Sequence, residues 1–255
     1  MLHRTTRSIS LTPDGIRFYE GCQRLLLELD ELAAEIQGNQ ETPKGRLTVS
    51  VPVALGRMCL IDAFGEFMQK FPEISLEVTF DDRAVDLAEK GIDVVIRTGT
   101  LTDSANLIAQ RIFTYQLMVC GTQDYFARYG KPEHPQELEE HNCLNFRNRD
   151  TGRTVPWFFS INSKVERFNA NGKLVFDDGE AVARAAMVGI GISQMPSFMA
   201  AQAIQNGVLS EVLQPYRPDE TPIWVAYLDR RFVSSRIRAF MEFMSSYGKI
   251  LRSFL

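Results

Sequence analysis

Apolar and polar positions alternate along Arg46–Val51 (RLTVSV), with Leu47, Val49 and Val51 on one side and Thr48 and Ser50 on the other. A period of two in residues rich in β-branched side chains predicts a strand. Pro52 has no N–H and stops the ladder. The apolar residues then change period: Leu60, Ile61, Phe64, Phe67 and Met68 recur at steps of three and four, which predicts a helix packed on the sheet. A strand that hands directly to a helix leaves backbone N–H groups pointing out of the turn. Pro52–Gly56 is therefore expected to wall a site for a small polar or anionic ligand.

The same reading extends along the chain. Residues 1–12 predict one strand and a basic hairpin tip, with Ile9 and Leu11 alternating with hydroxyl residues. Thr12-Pro13-Asp14 is a helix start, with Thr as N-cap, Pro in the first position and an acid in the first turn. The helix is expected to run from about Pro13 to about Gln37 and to stop at Gly38-Asn39. Its apolar residues Tyr19, Cys22, Leu26, Leu29, Ala33 and Ile36 are spaced 3, 4, 3, 4, 3, with Phe18, Leu25 and Leu32 in a parallel stripe. Such a seam suits another helix. An amphipathic helix lying on its own domain would carry a similar stripe, but the polar break at 38–45 (GNQETPKG) favours a partner chain.

Beyond the break, Ile74–Phe80 predicts a second strand and Ala84–Lys90 a short helix closed by Gly91. Ile92–Ile96 (IDVVI) predicts a central strand covered on both faces. This βαβαβ layout implies parallel pairing. Further strands are expected at Leu107–Ile112, Tyr115–Cys120 (central), Cys143–Phe146, Lys173–Phe176, Ile190–Met195 and Ile223–Leu228. Further helices are expected at Asp124–Tyr129, Ala181–Val188, after Pro196 up to Gly207, and Ser234–Tyr247.

Candidate chemistry is sparse. Asp177-x-x-Glu180 has the spacing of a capping box, in which Asp177 accepts from the free N–H groups and Glu180 reaches back; a carboxylate pair for acid–base work, or ligand contact, is the alternative. His134, His141 and Cys143 lack metal-ligand spacing and read as solvated loop residues. No GxSxG, Walker or HExxH pattern and no assembled nucleophile–base set occurs, so neither catalytic residues nor metal or cofactor are expected. His3-Arg4-Thr5-Thr6-Arg7 is a basic, hydroxyl-rich turn suited to phosphate or to a narrow minor groove.

Composition adjusts this picture only at its edges. The 255 residues are 45% hydrophobic and 24% charged, which is ordinary for a folded chain with a sizeable core. A net charge of −4 confines any DNA contact to a local patch. No apolar run reaches the roughly 18 residues of a membrane span. MLHRTTRSIS lacks the apolar segment of a secretory signal. Cys22, Cys59, Cys120 and Cys143 have no CxxC pairing and read as free thiols in a reducing cytoplasm.

Six segments together resemble the LysR-type transcriptional regulators: LHRTTRSISLTPDG (2–15), GRLTVSVPVALG (45–56), FPEISLEV (71–78), DLAEKGIDVVIRTG (86–99), DDGEA (177–181) and VGIGISQMP (188–196). The resemblance implies an α/β fold. Its effector domain would be two-lobed, like a type 2 periplasmic binding protein, and would follow a long dimerisation helix and the remnant of a winged helix-turn-helix. Residues 1–12 would be the wing, with His3, Arg4, Thr5, Thr6 and Arg7 facing DNA. Residues 13–38 would be the dimerising linker helix and 39–44 a connector. Residues 45–255 would be the effector domain, with lobe one at 45–118 and 223–255 and lobe two at 119–222.

The implied effector cleft is walled by Pro52, Val53, Ala54, Leu55, Gly56, Asp82, Thr98, Gly99, Thr100, Phe146, Asp177, Asp178 and Met195. The implied partners are double-stranded DNA for the intact protein, a small organic effector with carboxylates as the common type, and a second copy in a homodimer or homotetramer. The helix-turn-helix that precedes the wing in the family is not found after Met1, so this chain alone is expected not to read base edges in the major groove. Asp81, Asp82, Asp177 and Asp178 would have to cap helices or face away for an anion to bind. A free-standing solute-binding protein in the periplasm is the alternative reading; the missing signal and the heptad helix speak against it.

Overall fold

The computed structural model describes residues 1–4, 9–36, 42–83, 91–101, 107–229 and 233–251. Strand β1 (Leu2–Arg4) pairs antiparallel with β2 (Ile9–Leu11). The expected tip residues Thr5, Thr6 and Arg7 lie outside the described residues, as do the side chains of His3 and Arg4. Helix α1 follows at Pro13–Ile36, its first turn capped where the Gly15 N–H donates to Thr12 Oγ1 at 3.0 Å. The expected stop at Gly38-Asn39 is outside the described residues, and so are the side chains of Ala33 and Ile36. Among the described side chains of the seam and its parallel stripe, Tyr19, Leu25, Leu26 and Leu29 face outward at 52–66% exposure, and Cys22 is half-buried.

The first sheet is built from the alternation that opens the chain's globular part. Strand β3 (Gly45–Val51) puts Leu47, Val49 and Val51 into the core with no exposed surface. It pairs in parallel with β4 (Ile74–Phe80) and with β5 (Val94–Thr98). The antiparallel strands β6 (Leu107–Tyr115) and β14 (Thr221–Leu228) complete the order β4-β3-β5-β14-β6. The strand expected at Ile92 is central as anticipated, but pairing begins at Val94. The Asp93 carboxylate instead accepts the Thr48 N–H at 2.9 Å.

After Pro52 the chain runs through α2 (Val53–Leu55), a π-helical turn (Gly56–Leu60) and α3 (Ile61–Lys70). Phe67 is fully buried and meets Phe240 edge-on at 5.0–5.4 Å ring separations shared with Phe71 and Phe243. Phe240 comes from α7 (Ser235–Leu251), which approaches β6 so closely that a Cβ on Gly248 would sit 2.3 Å from the Ile112 carbonyl oxygen.

The second sheet forms from the middle of the chain. Strand β7 (Leu117–Gly121) lies between β12 (Ser193–Pro196) and β13 (Ser210–Val212), so the expected central strand is central here, though Tyr115 belongs to β6. Strand β8 (Leu144–Phe146) pairs in parallel with β11 (Leu174–Phe176), and a bridge between Cys143 and Ile192 joins this pair to β12. Helix α4 (Gln123–Tyr129), capped by Thr122 and ended by Gly130 at φ +84°, packs on one side. Helices α5 (Gly179–Met187) and α6 (Ser197–Gln205) pack on the other.

A hairpin of β9 (Trp157–Ile161) and β10 (Lys164–Phe168) closes the end. His141 and Cys143, expected as solvated, are buried here: the His141 ring lies 3.3 Å from the Tyr125 hydroxyl, and Cys143 belongs to a core with Tyr125, Phe126, Leu138 and Trp157. The apolar side chains around the loop, rather than its polar composition, decide their position.

Candidate functional site

The chain crosses between the sheets twice, at Gln116 and between Val212 and Thr221. The crossings are tied together. Arg217 donates to the Gln116 side-chain oxygen at 2.6 Å and pairs with Glu211, while the Ser197 N–H donates to the Gln116 carbonyl at 2.7 Å. Between the sheets lies a cavity of about 560 Å³, inside the roughly 300–1,000 Å³ range of small-molecule sites.

One wall comes from the first sheet and its crossings: Gly99, Thr100, Tyr115, Thr221 and Pro222. The opposite wall comes from the second: Leu117, Phe146, Trp157, Phe158, Gln194, Met195, Met199 and Val182. Its polar groups are largely engaged. The Tyr115 phenol is held above its usual pKa by burial, against hydrogen bonds to Thr221 and Thr98. The Gln194 amide is locked at both ends, accepting from Phe158 N at 2.8 Å and donating to Phe158 O at 2.7 Å. Asp219 and Glu220 stand exposed at the rim.

A smaller cavity of about 90 Å³ adjoins it, sharing Phe146, Gly179 and Met199 and adding Val53, Ala54, Asp82, Asp178 and Glu180. Two helix N-termini meet there, and each is capped by a carboxylate of the chain itself. Asp82 Oδ1 accepts the Val53 N–H at 2.9 Å, and Asp178 Oδ1 accepts the Ala181 N–H at 2.8 Å. Asp177 is not the cap that the capping-box spacing predicts. Asp178 has the extended backbone (φ −134°, ψ 123°) that an N-cap needs, and Asp177 instead faces Arg149 at 3.4 Å and Arg147 at 3.9 Å. Glu180 does not reach back; it pairs with Arg57 at 3.2 Å, linking the two sides of the cleft.

Of the thirteen residues expected at the cleft, Gly99, Thr100, Phe146 and Met195 line the large cavity, while Val53, Ala54, Asp82, Phe146 and Asp178 line the small one. Pro52, Leu55, Gly56, Thr98 and Asp177 line neither. Leu55 is core, 1% exposed, and Gly56 is packed against Phe80 and Val51. Sequence reading missed Tyr115, Trp157, Phe158, Gln194 and the Pro218–Pro222 segment. Among the described residues no three His, Cys, Asp or Glu side chains gather as a metal site, and no helix is long and apolar enough to cross a membrane.

Two mixed sheets joined by a paired crossing, with a cavity walled by both, define a two-lobed binding module of the periplasmic-binding-protein type. Residues 40–248 match the LysR substrate binding domain, and the chain belongs to the LysR family of transcriptional regulators. It is 33% identical over 237 residues to an HTH-type transcriptional regulator of Haemophilus influenzae, covering 93% of this chain and 81% of that one. It is 32% identical over 247 residues to an HTH-type transcriptional repressor of Pseudomonas aeruginosa, covering 96% and 77%.

Among solved structures, the full-length Vibrio cholerae virulence activator AphB superposes with a TM-score of 0.72 at 27% identity, over 97% of this chain and 84% of that one. The LysR-type regulator CrgA of Neisseria meningitidis does so with a TM-score of 0.73 at 27% identity, over 97% and 83%. These relatives disfavour the free-standing solute-binding reading.

Proposed function

We propose that this chain is the sensing and dimerising part of a regulator whose affinity for double-stranded DNA depends on a small organic effector held between the two sheets. The observation that carries this is the cavity itself, walled by both sheets, between which the chain crosses twice. A ligand touching both walls favours one relative placement of the sheets by its differential affinity for the two states, and by no more than that. The outward apolar seam of α1 supports a second copy as the partner that transmits the change: Leu25, Leu26 and Leu29 are each at least 60% exposed, and such a stripe is stable when paired. The site of action is the cytoplasm, where the DNA is.

The test is a thermal-shift and calorimetric screen of small organic molecules on the chain, repeated on Thr100→Trp and Phe158→Ala. Hits are expected to weaken in both variants; hits unaffected by either would refute the cleft as the site. Leu25→Glu with Leu29→Glu is expected to give monomers in sedimentation, and an unchanged dimer would refute the seam.

A further inference from the structure

Resting on the cleft as the effector site, we propose that it takes a flat aromatic ligand whose polar end is uncharged or cationic, and discriminates against carboxylates. The apolar part of the argument is the lining. Tyr115, Phe146 and Phe158 line a cavity large enough for a bicyclic molecule, together with Met195 and Met199.

The charge part rests on what faces the ligand. Among the described residues the charged side chains lining the two cavities are Asp219, Glu220, Asp82, Asp178 and Glu180, all acids, with no Lys, Arg or His among them. A carboxylate brought between these walls would lose its hydration without gaining a counter-charge. Nearby cations already have acidic partners. Arg217 pairs with Glu211, Arg57 with Glu180, and Arg147 and Arg149 face Asp177.

The usual substitute for a cation, a helix N-terminus, is also taken. The N–H of Val53 and that of Ala181 already donate to Asp82 and Asp178, so each dipole meets a negative charge before a ligand arrives. A further helix start, at Ser197, gives its N–H to the Gln116 carbonyl. An ammonium end, by contrast, would meet Asp219 and Glu220 at the rim and ring faces within.

The experiment uses three probes that differ only in the terminal group: tryptamine, tryptophol and indole-3-propionate, titrated calorimetrically into the wild-type chain. The expected result is that tryptamine and tryptophol each bind at least about tenfold more tightly than the propionate, and that Asp219→Asn with Glu220→Gln narrows the gap between tryptamine and the propionate. Equal or tighter binding of the propionate overturns the proposal while leaving the cleft as a ligand site. Binding of none of the three overturns the aromatic class. Binding of tryptamine that is undiminished in both Thr100→Trp and Phe158→Ala overturns the cleft reading itself, with unliganded melting temperature and circular dichroism reporting that each variant is folded.

Discussion

Gly56 offers a sharp test of the packing beside the cleft. Its backbone is ordinary helix (φ −60°, ψ −49°), so conformational freedom does not explain a glycine there. Space does. A Cβ on Gly56 would lie 2.5 Å from Phe80 Cε1 and 2.6 Å from Val51 Cγ2, and Val51 is fully buried on β3. Gly65, in α3 of the same helical segment, has nothing within 4 Å of where its Cβ would be.

Alanine gains up to about 1 kcal/mol over glycine from helix propensity at either position. Overpacking a core by one methyl costs about 1–3 kcal/mol. Gly65→Ala is therefore expected to stabilise by about 0.5–1 kcal/mol, and Gly56→Ala to destabilise by up to about 2 kcal/mol once the two terms are combined. In melting temperature that gap is several degrees, at roughly 2–4 °C per kcal/mol for a chain of this size.

Urea unfolding with matched slopes measures both variants. Phe80→Leu is expected to relieve part of the clash, giving a favourable coupling with Gly56→Ala in a double-mutant cycle. The strain also reaches the site, because Phe80 is followed by Asp81 and Asp82, and Asp82 caps Val53. Equal midpoint shifts of the same sign for Gly56→Ala and Gly65→Ala would refute the reasoning.

Three further outcomes are expected. Burial lowers the His141 pKa, against the raising influence of Glu140 and Glu137. The unfolded state then binds the extra proton, so stability is present above the ordinary histidine value of about 6.5 and is lost as pH falls through it; His141→Gln should flatten that step in melting temperature between pH 8 and 5, and an unchanged step would count against it. Burial pushes the Cys59, Cys120 and Cys143 thiols up to about 12, leaving about one thiolate in ten thousand at pH 8; Ellman's reagent should label these three slowly in native buffer and quickly in urea, and rapid native labelling of any of them would contradict this. Asp178→Ala should cost about 1 kcal/mol as a lost N-cap, whereas Asp177→Ala, removing half-exposed ion pairs, should cost less; the reverse order in urea midpoints would restore the capping-box assignment.

Periodicity carried the strands that are buried on one face or both. β3 and β4 fell where alternation put them; on β3 a one-residue slip would expose Leu47, Val49 and Val51. The hairpin's second strand, Lys164–Phe168, was not legible. Four of its five residues are exposed, so no apolar face marks it, and its turn uses Asn162 and Ser163 at φ +49° and +62° in place of the glycine that signals such turns. Adjacent Asp177 and Asp178 could not be told apart by spacing, since the cap is decided by which of them has extended backbone. The cavity lining was the least legible part. Tyr115, Trp157, Gln194 and Thr221 come from four separate strands, and no local pattern records that they converge.

The turn after β3 shows how much further pairing register carries than spacing does. The strand-to-helix geometry at Pro52 was legible, and so was the free N–H it creates; its occupant was not. Yet the occupant follows from one added fact, the parallel register that sets Val51 beside Phe80. Two residues on from each strand end lie Val53 and Asp82, so in-register parallel strands must bring that carboxylate to that N–H, and they meet at 2.9 Å. A site expected to attract an anion is thereby supplied with one by the neighbouring strand. The charge preference proposed for the cleft is thus a consequence of register acting on a sequence that places two acids directly after β4.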